Sequence, residues 1–226
     1  FLNFYYLLYH FTLGRYLFVQ EKVYKTVIQN ELVETIQTFI TSDTTTDLDF
    51  NDLAIEIFAY QYETNPPFRQ FSIQQEKSPR IAKTWRDIPP VPINAFKNVL
   101  LSCCEQTNNG RTFMTSGTTQ NGKLGKSYHP TLEVYDHSML KNFKNRFMKE
   151  KDTIEMGVLF PDEFVMPNSS LAHYLALALK YFGTKNSGYR LNKNGIDFKK
   201  LFDDLDASQA TGVPYAILGA SFSIVH

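Results

Sequence analysis

The sequence predicts an α/β protein: a parallel sheet with crossover helices, preceded by a helical amino-terminal region. Apolar residues recur at helical spacing before residue 64, whereas after Gly110 short apolar runs alternate with longer helical stretches. Regular alternation of strand and helix is typical of parallel strands joined by crossover helices. We therefore divide the chain of 226 residues into an aromatic, helical extension (1–33), a helical and proline-rich region (34–110) and an α/β region (111–226).

The chain begins with a strongly aromatic segment, residues 1–20. Asn3, His10 and Arg15 interrupt this segment before it reaches the roughly 18 to 20 uninterrupted apolar residues that a membrane-spanning helix needs. The basic end and the small-residue cleavage pattern of a signal peptide are also missing. We expect an apolar packing or interfacial segment, and no integral membrane span.

Two amphipathic helices are predicted next, over residues 22–40 and 50–63, because their apolar residues fall on one face. Pro66 and Pro67 are expected to end the second helix. Six of the ten prolines lie between residues 64 and 98, which predicts an irregular segment there.

The α/β region is predicted to contain four strands separated by three helices. The second of these helices, over residues 170–182, is apolar on nearly every side and is followed by Gly183. This is expected for a buried helix with a glycine after its end. The predicted strands are Arg111–Thr115, Met156–Phe160, Ser187–Arg190 and Pro214–Leu218, and the predicted helices are Thr131–Met148, Ser170–Phe182 and Ile196–Leu205.

Charge and cysteine content narrow the function classes. The 23 basic and 23 acidic residues give a net charge of zero, so no basic surface argues for nucleic acid or an anionic membrane, and a small or amphipathic ligand fits better.

Cys103 and Cys104 are adjacent, and vicinal cysteines seldom form a disulfide because the geometry strains the peptide between them. We interpret them as plain buried thiols in a reducing, cytoplasmic setting.

The stretch FMTSGTTQNGK at residues 113–123 carries the strongest chemical signal. Ligands of α/β sheets bind beyond the carboxyl ends of strands, where this turn is expected to lie. Hydroxyl groups can donate to anionic oxygens, glycines let backbone N–H groups approach closely, and a lysine adds positive charge. The turn therefore predicts a polyphosphate cradle, with an ordinary solvated turn as the alternative. Its candidate residues are Thr115, Ser116, Gly117, Thr118, Thr119, Gly122 and Lys123.

Residues 117–123 also satisfy G-x-x-x-x-G-K, the start of a Walker A loop. That motif needs Ser or Thr at the next position to hold Mg²⁺, and Leu124 stands there. Gly125 and Pro130 also postpone the following helix, whose N-terminus would have to face the phosphates. We therefore favour a different phosphate loop.

The run Thr-Ser-Gly-Thr-Thr followed shortly by Lys resembles the phosphate loop of the adenylate-forming superfamily, which includes acyl-CoA synthetases, peptide-synthetase adenylation domains and luciferases. Four further segments look like successive landmarks of the LuxE acyl-protein synthetase family, whose members supply fatty acyl groups to the bioluminescence fatty-acid reductase. These segments are YQYETNPPFRQF (60–71), IPPVPINAFKN (88–98), PNSSLAH (167–173) and LGASFSIVH (218–226). The resemblance covers roughly residues 34–226.

The resemblance implies that residues 111–226 are the nucleotide-binding part of an adenylation domain, and so a partial adenylate-forming large domain. It implies ATP and Mg²⁺ as cofactors and a fatty or related carboxylic acid as substrate. The acid would become an acyl-adenylate with release of pyrophosphate, and the acyl group would pass to a thiol of an acceptor protein, such as a reductase, or of coenzyme A. A flexible loop closing on the phosphates would stabilise the charge of the leaving pyrophosphate.

The resemblance also implies that further catalytic parts lie beyond His226, among them a catalytic lysine and an acyl-accepting cysteine, so that this chain alone is an incomplete catalyst. Where the superfamily usually has Gly-x-Pro-Lys-Gly, this chain has QNGKL at residues 120–124, which leaves the loop shape and the role of Lys123 open. Two alternatives remain: a coenzyme A ligase like the phenylacetate:CoA ligases, and a non-catalytic nucleotide- or lipid-binding domain.

Other candidate residues lie near the ends of predicted elements. His173 is placed about where adenylate-forming enzymes have a residue beside the substrate carboxylate, which predicts a catalytic, orienting role; a satisfied core histidine is the alternative. Ser170 is a candidate substrate contact or a helix cap. Gly219, Ala220 and Ser221 follow a predicted strand and are candidate substrate contacts, with tight packing as the alternative.

Two further site classes are disfavoured. His129, Asp136 and His137 supply too few convergent ligands for a metal, so we interpret them as a solvated helix end and predict no protein-held metal. The chain has no Gly-x-Ser-x-Gly sequence, which argues against a hydrolase of that type.

Overall fold

The computed structural model describes residues 28–115 and 123–220. The aromatic segment of residues 1–20 and residues 22–27 of the first predicted helix lie outside the described residues, as do loop residues 116–122 and residues 221–226. Among the described residues, no helix combines the length and the apolar character that crossing a membrane requires.

The amino-terminal region is helical in its described part. Helix α1 occupies residues 28–41, α2 spans Asp47–Thr64 and α3 spans Pro66–Gln74. Thr46 begins α2 with a capping box, because Asp49 N donates to Thr46 Oγ1 over 3.2 Å while Thr46 N donates to Asp49 Oδ2 over 2.8 Å. These elements confirm both predicted amino-terminal helices within the described residues.

The predicted irregular segment over residues 64–98 is wrong in part. The two prolines that end α2 also begin α3, since a proline in the first turn of a helix lacks only an N–H group that would have no intrahelical partner. Asn65 caps α3 by accepting a hydrogen bond from Phe68 N (3.2 Å). A 3₁₀ turn, Trp85–Asp87, and the short helix α4, Ala95–Asn98, follow.

A three-stranded parallel sheet forms the centre of the α/β region. Its strands are β3 (Glu155–Leu159), β4 (Gly188–Tyr189) and β7 (Tyr215–Gly219), in the order β4-β3-β7. Helix α6 (Ser170–Phe182) connects β3 to β4, and α7 (Phe198–Thr211) precedes β7. This arrangement confirms the predicted α/β class with parallel strands and crossover helices.

The strand at residues 111–115 does not belong to that sheet, contrary to the prediction. Strand β1 (Arg111–Met114) pairs antiparallel with β2 (Lys126–His129), with Arg111 opposite His129 and Met114 opposite Lys126. A short polar connection can join two antiparallel strands, whereas a parallel pair needs a crossover of a dozen or more residues. The hydroxyl-rich loop therefore connects the two arms of a hairpin.

Two more predicted helices differ from the structure at their ends. Helix α5 spans Glu133–Phe143 and continues as one π-helical turn, Lys144–Met148, which ends where the prediction placed the end of the helix. A small hairpin of β5 (Leu191–Asn192) and β6 (Gly195–Ile196) delays the start of α7, which then runs on to Thr211, six residues beyond the predicted end.

The core lies between the parallel sheet and helices α5 and α6. Met156 and Val158 on the central strand are fully buried and belong to two adjoining apolar clusters, which share Tyr174, Leu179 and Leu218 as neighbours. Helix α6 is buried along most of its length, as its all-round apolar sequence predicts. A separate cluster around Phe58, Phe68 and Ala82 forms the core of the amino-terminal helices.

A buried ionic network joins α7 to the sheet. Asp204 accepts hydrogen bonds from Arg190 Nε (2.6 Å), Lys200 Nζ (2.6 Å) and Tyr215 Oη (2.8 Å). We call these four residues the Asp204 network. Its Arg190 and Asp204 side chains are only 6% and 3% exposed, so the network is part of the core.

Candidate functional site

The described candidate residues converge on the carboxyl edge of the parallel sheet. The chain leaves β3 through residues 160–169, which lead into α6. Met114 N at the end of β1 donates to Asn168 O over 2.8 Å, so the β1–β2 hairpin is attached to this connection. Ala220, just after β7, packs against the apolar cluster that contains Ala172 of α6. Three predicted site segments therefore meet at the edge where α/β proteins bind ligands.

The two described ends of the hydroxyl-rich loop are held in different ways. Thr115 closes the hairpin: its N–H donates to Gly125 O over 3.0 Å and its Oγ1 accepts from Gly125 N over 3.0 Å. Lys123 is exposed, and its Nζ donates to Asn98 Oδ1 over 3.1 Å. The remaining loop candidates, Ser116, Gly117, Thr118, Thr119 and Gly122, lie outside the described residues.

His173 is buried in the first turns of α6 and bonded through both ring nitrogens. Its Nε2 lies 2.8 Å from Asp136 Oδ1, and its Nδ1 lies 2.8 Å from Glu163 Oε1. The rings of Phe113 and Tyr135 pack beside the imidazole, with centroids 5.8 and 5.6 Å away. A neutral imidazole has one N–H donor, so it can donate to only one of the two carboxylates at a time.

Arg111, the first residue of β1, contributes a positive charge. Its Nη2 donates to Glu163 Oε1 over 2.8 Å, the same oxygen that faces His173. Its Nε and Nη2 also donate to Pro167 O over 3.1 and 2.8 Å. We call Arg111, Asp136, Glu163 and His173 the Glu163 cluster. The Arg111, Glu163 and Asp136 side chains are about one-third exposed, so solvent reaches this cluster.

The sequence did not indicate the roles of Arg111 and Glu163. They are 52 residues apart, and neither belongs to a local motif. Asp136 was interpreted as part of a solvated helix end, which is wrong because it bonds to buried His173. The one signal available in the sequence was a charged residue opening a short strand that leads directly into the loop.

The neighbouring histidines are not part of this cluster. His129 Nε2 lies 3.2 Å from Ser127 Oγ, and burial lowers the pKa of His129, which favours its neutral form. His137 is exposed, with Nδ1 3.2 Å from Glu133 O. In residues 28–115 and 123–220, no three His, Cys, Asp or Glu side chains are grouped so that they could hold a metal ion.

The candidate serine and the small residues have structural partners. Ser169 is the cap of α6, accepting from Ala172 N over 3.2 Å. Ser170 is the exposed first residue of the helix, and its carbonyl accepts from Tyr135 Oη over 3.0 Å. Gly219 pairs with Leu159 so closely that a Cβ atom there would lie 2.7 Å from Leu159 O. Ser221 lies outside the described residues.

The two cysteines border a different cavity, whose lining includes no residue of the Glu163 cluster. This cavity of about 370 Å³ lies between α1, α2 and residues 101–104, and its lining is mainly apolar. Both thiols are free and half-buried, and burial raises the pKa of Cys103. A raised pKa leaves little thiolate, the reactive form, at Cys103. The predicted burial of the two thiols is only partial.

Comparison with known proteins adds no family assignment, because no protein-family model, curated protein or solved structure matches this chain. The resemblance to the LuxE acyl-protein synthetases therefore stays a prediction that rests on the sequence landmarks.

Proposed function

We propose that this chain is the amino-terminal part of an ATP-dependent acid–thiol ligase of the LuxE acyl-protein synthetase type. The activated substrate is a fatty or related carboxylic acid, and the acceptor is a thiol of a protein or carrier in a cytoplasmic setting. The observation that carries the proposal is the hydrogen bond from Met114 N to Asn168 O. It attaches the start of the hydroxyl-rich loop to the segment that leads to His173, beside the carboxyl edge of the sheet.

The described residues fit an ATP-binding role at the loop. Thr115 is exposed at its base, and Lys123 presents an exposed ammonium group on its far side, which suits an anionic triphosphate. ATP, with Mg²⁺ on its phosphates, supplies the phosphoanhydride bond whose cleavage drives carboxylate activation. The contribution of the chain is to orient the phosphates with hydroxyl and backbone donors and to hold positive charge near the reacting carboxylate.

His173 supports the same assignment through its surroundings. Its ring is fixed by Asp136 and by two aromatic neighbours, so its Nδ1 has a defined direction toward the connection between β3 and α6. A buried, oriented N–H donor can align a substrate carboxylate without acting as a base. Gly219 and Ala220 add a small-residue surface on the same edge.

Carboxylate-dependent exchange of labelled pyrophosphate into ATP tests the proposal, measured on the full-length protein that carries these residues. Replacing Ser116, Thr118 and Thr119 together by alanine is expected to lower the exchange rate about 100-fold, because the donors to the leaving pyrophosphate are lost. Thr45→Ala is the matched control, since Thr45 is exposed and remote in sequence from the loop. Exchange that survives the triple replacement unchanged contradicts the proposed role of the loop.

Lys123→Ala provides a second arm, with Lys193→Ala as its control because Lys193 is exposed on the β5–β6 turn. If Lys123→Ala loses pyrophosphate exchange and Lys193→Ala keeps it, the reaction needs the charge of Lys123. Supplying coenzyme A then separates the acceptors: a free acyl thioester indicates a coenzyme A ligase, whereas acyl transfer only to protein indicates an acyl-protein synthetase. ATP binding without any exchange supports the non-catalytic alternative.

A further inference from the structure

We propose that Arg111 and His173 form a binding site for the carboxylate of an amphipathic acid, and that the side chain of Glu163 occupies this site in the absence of the ligand. This inference rests on the proposed function, because it names the groups that hold the substrate carboxylate. It adds that the chain carries its own competing carboxylate. Binding of the acid exchanges one carboxylate for another.

The geometry around Glu163 is that of a bound carboxylate. One oxygen, Oε1, lies 2.8 Å from both Arg111 Nη2 and His173 Nδ1. Charge-assisted hydrogen bonds of this length are the strong class, and the guanidinium of Arg111 supplies one of them beside the imidazole of His173. Replacing Glu163 by a ligand carboxylate leaves the net charge at these donors unchanged.

Both donor residues keep a second anchor that does not involve Glu163. Arg111 Nε and Nη2 donate to Pro167 O, and His173 Nε2 is held by Asp136. The His173 ring also packs against the rings of Phe113 and Tyr135. The two donors therefore remain oriented when the Glu163 side chain leaves, and a preorganised site loses little free energy to ordering on ligand binding.

Glu163 can leave because its side chain is not needed by its own loop. Residues 161–169 are held by other bonds, in which Asp162 Oδ1 accepts from Phe164 N and Val165 N, and Met166 N donates to Asp162 O. The Glu163 side chain is 30% exposed, so a path to solvent exists. Rotation of this side chain alone vacates the site.

The residues that follow Glu163 indicate the rest of the ligand. Phe164, Val165 and Met166 are 97%, 66% and 39% exposed, an uncommon run of apolar side chains directly beside a charged cluster. A ligand with a carboxylate head and an alkyl tail matches this pairing, because its head reaches Arg111 and its tail covers the apolar residues. A small polar acid would leave them exposed.

Octanoate binding, measured by titration calorimetry on the full-length protein without ATP, tests the site. Glu163→Gln is expected to lower the Kd for octanoate about tenfold, because an internal competitor reduces apparent affinity by the fraction of vacant site. Arg111→Gln is expected to raise the Kd about tenfold, since a charge-assisted donor is lost. Glu150→Gln and Arg146→Gln are matched controls, since both residues are exposed and neither belongs to the Glu163 cluster.

A second measurement uses the wild-type chain, so the test survives a variant that fails to fold. The ring resonances of His173 are expected to shift on addition of octanoate and to stay in place with octanamide, its neutral analogue. Each alkyl methylene that becomes buried is expected to tighten binding about fourfold, so octanoate must bind more tightly than butanoate. An equal Kd for these two acids overturns the assignment of the apolar tail.

The inference is overturned if Glu163→Gln leaves the Kd for octanoate unchanged or raises it. It is also overturned if octanoate binds neither the wild type nor this variant. These outcomes differ from failure of the proposed function. Octanoate that binds as expected while pyrophosphate exchange is missing contradicts the ligase and leaves the carboxylate site standing. Exchange that is insensitive to both Arg111 and Glu163 contradicts the site and leaves the ligase standing.

Discussion

Two ionic clusters of this protein use similar bonds in different surroundings. In the Asp204 network, a carboxylate accepts from arginine, lysine and tyrosine over 2.6 to 2.8 Å, and its arginine is 6% exposed. In the Glu163 cluster, a carboxylate faces arginine and histidine at 2.8 Å, and its side chain is 30% exposed. The bonds are almost equally short, so distance alone does not distinguish them. The two clusters differ in how far water reaches them.

The difference decides what each cluster can do. Removing one partner of a buried ion pair leaves the other charge in the protein interior, which solvates it poorly. Breaking the hydrogen bonds of the Asp204 network therefore costs much free energy. A pair that is one-third exposed gives up less when it opens, because water replaces the lost partner. The first cluster therefore fixes α7 on the sheet, whereas the second is suited to exchange its carboxylate for a ligand.

The largest effect is expected from Asp204→Asn. The variant leaves Arg190 buried with no carboxylate, so the free energy of unfolding should fall by about 3 to 5 kcal/mol. Denaturant titration measures this change. Asp203→Asn is the neighbouring control, because Asp203 forms an exposed pair with Lys199 on the same helix and should leave stability unchanged. Similar losses in both variants would contradict the structural role assigned to the network.

Tyr215→Phe should have the next largest effect. Its hydroxyl donates to the Asp204 carboxylate, and losing a hydrogen bond to a charged group costs about 1.5 to 3 kcal/mol. Burial, together with this hydrogen bond, raises the pKa of Tyr215 to about 12 from the ordinary value of 10. The folded chain therefore keeps the hydroxyl protonated while the unfolded chain ionises it. Stability should fall between pH 10 and pH 12, more steeply in the wild type than in the variant.

The alkaline comparison has an internal control. Burial also raises the pKa of Tyr60 to about 12, and Tyr60 is present in both proteins. The difference between the two stability curves therefore reports Tyr215. Parallel curves from pH 8 upward would show that Tyr215 ionises equally in the folded and unfolded chains.

The pKa of the Asp204 carboxyl predicts how the stability of the protein changes at acidic pH. Burial by itself would raise its pKa, but hydrogen bonds from Lys200, Arg190 and Tyr215 outweigh burial and lower the pKa below its ordinary value of 3.8. Its stabilising contribution is therefore present above pH 4 and is lost as the pH falls through the lowered folded-state pKa. Asp204→Asn should remove that part of the acid dependence in thermal unfolding scans.

Glu163→Gln should change the free energy of unfolding by less than about 1 kcal/mol, because an ion pair that water reaches contributes little. The same substitution is expected to change the affinity for octanoate, so it should affect ligand binding much more than stability. Thermal unfolding without ligand measures the first quantity. A loss as large as that of Asp204→Asn would place Glu163 among the structural residues and break the contrast between the clusters.

The smallest effect is expected from Phe164→Ser. Phe164 is 97% exposed, so removing its ring should change the free energy of unfolding by less than about 0.5 kcal/mol. Phe160, four residues earlier, is 4% exposed, and Phe160→Ala should cost about 3 to 5 kcal/mol. This matched pair measures where the core ends and the ligand-facing connection begins. Equal losses would show that Phe164 packs in the core.

Much of the fold could be predicted because local patterns determined it. The nearly all-round apolar sequence of α6 predicted its burial, and the apolar run at residues 156–160 predicted the central strand. The pairing of β1 could not be predicted in this way, because Arg111–Met114 is equally consistent with a parallel or an antiparallel partner. The same holds for the proline pair, which reads as a helix end but also begins α3.

The candidate site shows the same division. The sequence by itself determined which chemical groups are present: a hydroxyl-rich loop after a strand, a histidine in an apolar helix and small residues after β7. Only the tertiary structure decided that His173 faces two carboxylates and that Arg111 shares one of them. The physical reason is that two of these three contacts join residues 37 and 52 positions apart, and no local periodicity encodes such separations.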